Sequence, residues 1–109
     1  MTIYLENHVR IWVFCRAYNN YGSLGQLAKE LGYNGKGRNG TVRVMWTGES
    51  GIPEKKFDQL CKLAKVSKEK MMNHTIPKEK SLKIDDWVTT INLFNKSKKP
   101  TPEIFLDLN

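Results

Sequence analysis

A chain of 109 residues is sized for one domain around a single core. Its hydrophobic content of 39%, with 10% aromatics, excludes a disordered chain, and no apolar run approaches the ~18–20 residues that cross a bilayer. A net charge of +7 favours polyanionic partners, nucleic acid before an anionic membrane surface, and excludes inhibition by DNA mimicry, which needs an acidic surface. The cations are spread: six Lys/Arg against three acidic residues over 1–51, twelve against eight over 52–109. Charge alone therefore marks no surface. The opening MTIYLENHVR lacks a basic n-region and an apolar h-region, so secretion is not expected and a cytoplasmic location is. Cys15 and Cys61 fall on apolar helix faces and read as reduced core thiols of such a compartment.

The first element is a helix over 5–18. Leu5, Val9, Trp12, Val13 and Ala17 form one stripe, widened by Phe14, Cys15 and Tyr18. So broad an apolar face suits a centrally packed helix. The turn Asn19-Asn20-Tyr21-Gly22 ends it.

The stretch Ser23 to Gly48 reads as two short helices joined by a glycine-rich turn. Ser23 and Gln26 have the spacing of a capping box, and Leu24, Leu27, Ala28 and Leu31 fall at i, i+3, i+4 and i+7. Gly32 stands where a left-handed closing residue is wanted. Beyond the turn, Val42, Met45 and Trp46 repeat the helical spacing, and Gly48 supplies a second stop. As a helix this segment puts Asn39, Arg43 and Thr47 four apart, away from the core. Arg pairs bidentately with guanine and Asn with adenine, so these side chains suit base readout.

Two rival readings of this stretch exist. Gly35-Lys36-Gly37-Arg38-Asn39-Gly40 matches GxGxxG, but a helix precedes it and the dinucleotide fingerprint needs a strand. The other functional reading is a turn whose backbone N–H groups, Lys36 and Arg38 approach a DNA phosphate. Thr41–Trp46 is rich in β-branched residues beside two Asn-Gly pairs, which are hairpin signals. The helix is the expectation because no partner strand of matching pattern is visible.

Residues 52–65 predict a helix started by Pro53 and Glu54, with Phe57, Leu60, Cys61 and Ala64 inward. Ser67 caps a further short helix, with Val66 and Met71 placed as a hydrophobic staple. Asn73–Leu82 is a polar linker. Ile84, Trp87, Val88, Ile91 and Phe94 then fit a helical stripe led by Asp85 and Asp86. In the tail, Thr101-Pro102-Glu103 can start a helical turn, or Ile104–Leu108 can form a strand. The extension either packs back on the same domain or supplies a homodimer contact through 84–109.

No catalytic, metal or cofactor constellation is visible. His8 and His74 are far apart and lack triad or metal spacing, and each reads as a surface histidine. Asp85-Asp86 has a helix-start explanation. The Asn-x-Ser/Thr matches at Asn39, Asn73 and Asn95 carry no weight without export. An enzyme is not expected, and neither is a membrane partner.

Residues 23–72 resemble the Xre/lambda-repressor-like helix-turn-helix family. The likeness rests on Leu27-Ala28-Lys29-Glu30-Leu31-Gly32 and then Thr41-Val42-Arg43-Val44-Met45-Trp46-Thr47-Gly48. Pro53, Leu60-Cys61-Lys62-Leu63-Ala64 and Val66-Ser67 complete it. The resemblance implies an all-α, five-helix DNA-binding domain over 1–76, with a C-terminal helical extension over 77–109. It also implies a recognition helix at about 38–47, with Arg38, Asn39, Gly40 and Arg43 toward the major groove. Lys36, Arg38, Lys55, Lys56 and Lys65 would position phosphates, and Asn39, Arg43 and Thr47 would face the bases. The chain departs from the family by the inserted Asn34-Gly35-Lys36-Gly37 and by Trp46, where the family often has a charge. The expected partner is double-stranded DNA, and the expected role is that of a prokaryotic or phage regulator. The alternative is a phage-type inhibitor that keeps the scaffold but binds a host nucleic-acid enzyme. RNA binding is a weaker third, since aromatics for stacking unpaired bases are not identifiable.

Overall fold

A computed structural model describes residues 1–96. The chain is mostly helical, with six α-helices among the described residues: α1 Asn7–Tyr21, α2 Leu24–Glu30, α3 Arg38–Thr47, α4 Glu54–Ala64, α5 Lys68–Met72 and α6 Trp87–Lys96. A single 3-10 turn spans Lys78–Lys80. Two very short strands, β1 (Thr2–Ile3) and β2 (Ile52–Pro53), pair antiparallel with Thr2 opposite Pro53 and Ile3 opposite Ile52. That ladder is an addition to the all-α expectation. It pins the chain's first residues beside the start of α4, where Pro53 is the last residue before the helix rather than its first.

The wide apolar surface of α1 makes it central. Val9, Trp12, Val13, Phe14, Cys15 and Ala17 are all buried, and α2, α3, α4 and α6 all pack against it. The helix runs on to Tyr21, past the expected turn, and Gly22 closes it in a left-handed conformation. Ser23 caps α2 by accepting from Gln26 N at 3.1 Å. The Gln26 side-chain amide donates to Glu30 one turn on, at 3.0 Å.

Segment 41–46 lies within α3, so the strand alternative falls away. Val42, Met45 and Trp46 are buried, as the helical spacing requires. Ser67 caps α5, accepting from Lys70 N at 3.4 Å. Asp86 caps α6: its carboxylate accepts from Val88 N at 2.9 Å and from the Thr89 hydroxyl at 2.7 Å. The Thr89 hydroxyl, then the Val88 N–H, hold that carboxyl below its usual value.

A recurring device closes the C-termini of the middle helices. The last carbonyls of a helix have no intrahelical donor and carry partial negative charge, and here a cation from another helix meets them. Lys56 Nζ donates to Leu31 O at 2.5 Å behind α2. Arg10 Nε donates to Trp46 O at 2.8 Å behind α3. Arg16 Nε donates to Ala64 O at 2.6 Å behind α4, and the Asn20 amide adds a bond to Leu63 O at 2.8 Å.

Helix α6 packs on α1 and α3. Ile91 is buried, and Ile84, Trp87 and Phe94 lie against the core. Trp46 is the centre of an aromatic group: its ring lies 5.5 Å from Phe14, 5.8 Å from Tyr18 and 5.1 Å from Trp87. The Trp46 indole N–H donates to Thr90 Oγ1 at 3.1 Å. Of the apolar residues of α6, Val88 and Leu93 remain exposed. The two expectations for 101–108 lie outside the described residues.

Candidate nucleic-acid interface

From Leu31 to Gly48 the chain carries three cations (Lys36, Arg38 and Arg43) and no acidic residue. The local fold sorts these by geometry. Gly32 takes a left-handed φ of +87° and ends α2 as expected. The inserted residues then lead to Gly37, whose carbonyl accepts from both the backbone and the hydroxyl of Thr41 at 3.0 Å. Thr41 therefore faces the first turn of its own helix.

Asn39 and Arg43 are exposed one turn apart on α3, whose Val42, Met45 and Trp46 are buried. Arg38 is half-buried, and Lys36 is exposed in the turn. Arg38 and Asn39 lie alongside the first turn of α2. A Cβ at Gly25 would meet Asn39 Oδ1 at 3.6 Å and Arg38 Nη2 at 3.7 Å. Both are ordinary van der Waals distances, so the two side chains rest beside Gly25 without needing its missing side chain. Gly40 is half-buried, with open space where a side chain would stand. Lys36, Arg38, Asn39, Gly40 and Arg43 thus come together along the turn and the outer side of α3. Lys55 is exposed on the first turn of α4, and Lys65 is exposed at that helix's far end, where it adopts a left-handed φ of 59°.

Two expected site residues do not belong with them. Thr47 is 5% exposed, and its hydroxyl donates to Val44 O at 3.4 Å. The reason is its place along the axis: Thr47 is the last residue of α3, and the linker crosses that end, where the Thr47 carbonyl accepts from Ile84 N at 2.8 Å. Lys56 is the second correction. Its ammonium is held by Leu31 O and lies 4.7 Å from the centre of the Tyr33 ring, a cation–π placement. It closes α2 rather than facing solvent as a phosphate contact.

The two histidines, far apart in the sequence, come together in the fold, and His8 is exposed as expected. His74 Nδ1 lies 2.9 Å from Glu6 Oε2, and His8 Nε2 lies 3.8 Å from the same oxygen. The two residues meet at one carboxylate, which latches the end of α5 to the start of α1. Among the described residues no cluster of three or more His, Cys, Asp or Glu could hold a metal ion. Burial pushes the Cys15 thiol up to about 11. Burial, then the Asp58 charge, pushes Cys61 to about 12. Both are poor nucleophiles.

Sequence reasoning passed over Arg10. Its side chain is 2% exposed and spans three segments. Nε donates to Trp46 O at 2.8 Å, and Nη2 to Leu82 O at 2.9 Å, Thr47 O at 3.3 Å and Asn7 Oδ1 at 2.5 Å. Nη1 has no hydrogen-bond partner among the described residues, and burial lowers the guanidinium to about 10. The signal was available: a charge between Val9 and Trp12, on a helix apolar nearly all round, has no open solvent to point into. Comparison of the chain with protein-family models, with curated proteins and with solved structures found no match.

Proposed function

We propose that this chain is a small sequence-specific double-stranded DNA-binding protein, a regulator of prokaryotic or phage type. In this reading α2, its glycine turn and α3 form the helix-turn-helix of a repressor-like five-helix domain, and α3 enters the major groove. Asn39 and Arg43 read base edges, Arg38 flanks them, and Lys36 and Lys55 neutralise phosphates. The observation that carries it is the exposure of Asn39 and Arg43 on one side of α3, within a segment that has cations and no acid. Amide and guanidinium groups can pair with base edges, and an acid-free surround adds no repulsion of the phosphates.

The test is selection from random duplexes at two salt concentrations, followed by titration of Arg43→Ala on the selected duplex and on a scrambled one. The expected loss on the selected duplex is roughly 1–3 kcal/mol, with relaxed discrimination at one base pair. Equal losses on both duplexes refute base readout. No duplex enrichment, together with a stable complex with a host protein, selects the protein-binding alternative instead.

A further inference from the structure

We propose that the C-terminal extension is the positioning element of the duplex-reading helix, with Arg10 as the positioning residue that joins them; this rests on the DNA reading above. The outer side of α3 is free, but its final turn is held from elsewhere in the chain. Arg10 grips Trp46 O and Thr47 O from α1 while also holding Leu82 O of the linker. The linker returns a backbone bond from Ile84 N to Thr47 O. One turn into α6, Thr90 accepts the Trp46 indole N–H, and Trp87 lies 5.1 Å from the Trp46 ring. Three segments therefore converge on Trp46, Thr47 and Gly48, the end of the helix opposite Asn39.

Arg10 is an expensive choice for that place if stability alone is considered. It is a buried cation held by three carbonyls and an amide oxygen, and one of its nitrogens has no hydrogen-bond partner among the described residues. Apolar side chains of similar volume often serve buried positions as well or better. What they do not supply is a planar fork of donors that fixes the relative position of several backbone segments. Bidentate contacts to bases depend on such registration, since sub-ångström errors weaken both bonds of a pair. The extension thereby sets the pose of Arg43 and Asn39 without touching DNA.

The experiment uses the full chain and three variants: Arg10→Met, Arg10→Lys and Thr90→Val. Each is titrated on a selected and a scrambled duplex, at a temperature where its own unfolding curve shows it fully folded. A loss of stability alone scales both affinities alike and leaves their ratio unchanged. Arg10→Met and Thr90→Val are expected to lower the matched-to-scrambled ratio about 2- to 30-fold, with scrambled-duplex affinity and salt slope unchanged. Arg10→Lys is expected to recover part of the ratio. An unchanged ratio in folded Arg10→Met overturns the proposal. If Arg10→Met does not fold, an unchanged ratio in Thr90→Val does so. A parent chain that does not discriminate between duplexes overturns the DNA reading itself, and this inference with it.

Discussion

Gly48 lies at the meeting point of α1, α3 and the linker, and replacing it by Ala separates two costs. Its φ is +84°, a left-handed value that costs a residue with a Cβ about 1–2 kcal/mol. An added Cβ would also stand 2.7 Å from Arg10 Cζ and 2.7 Å from the carbonyl oxygen of Leu82. One contact is backbone, and the other is a guanidinium already committed to four bonds. Relief requires the clasp to open, leaving one or two buried acceptors unmet at about 1–3 kcal/mol each. The total expected for Gly48→Ala is about 2–8 kcal/mol, a large share of the roughly 5–15 kcal/mol that holds a domain folded. Gly22→Ala is the matched control, since φ there is +81° and nothing lies within 4 Å of the new carbon. It should show the conformational cost alone, about 1–2 kcal/mol. Urea unfolding of both variants, followed by tryptophan fluorescence, measures the difference. Equal losses at the two glycines would refute the close approach of Arg10 and Leu82 to α3.

Two further predictions follow from the lysines and the thiols. Lys56→Met should lower stability by about 1 kcal/mol and leave the salt dependence of duplex binding unchanged. Lys55→Ala should weaken all duplexes alike and lower the salt slope by about one unit; the reverse assignment would show that Lys56 leaves Leu31 to meet phosphate. The native thiols should react at pH 8 at least about 100-fold more slowly than those of the urea-unfolded chain, measured with a chromogenic disulfide reagent. Folded Cys15 and Cys61 keep their protons to about 11 and about 12 against an ordinary 9.0. Their stabilising contribution is therefore whole below pH 9 and is lost as pH rises through those values. Arg10, lowered from 12.5 to about 10, acts in the opposite sense above pH 10, so the thiol slope is read between pH 9 and 10. Cys61→Ala should flatten it.

What was legible in the chain was whatever periodicity and capping chemistry encode locally. Leu27, Ala28 and Leu31 gave one buried helix face, and Val42, Met45 and Trp46 gave another; Ser23, Ser67, Gly32 and Gly48 marked their ends. The β1–β2 ladder was invisible because two residues per strand show no alternation. Thr47 was misplaced because the linker that covers the end of α3 leaves no mark in the helical spacing. Lys56 and Arg10 were misread or missed for one reason: their partners are backbone carbonyls distant in sequence, and a carbonyl has no letter in the sequence. The same holds for His8 and His74, which only the fold brings to Glu6. Within the candidate interface, Asn39 and Arg43 are the polar residues left between the apolar positions of α3, and their exposure was expected on that ground. The support behind them did not.

The closing of helix ends by Lys56, Arg10 and Arg16 has a practical corollary. Each of these bonds joins a charge to a dipole at short range, with Arg10 buried and the other two half-buried, so dissolved ions have little purchase on it. The lysines outside sit within the counterion atmosphere of any polyanion that approaches. Brine should therefore strip such a partner from the chain while leaving the frame standing, and elution strength becomes a gauge of the contact alone.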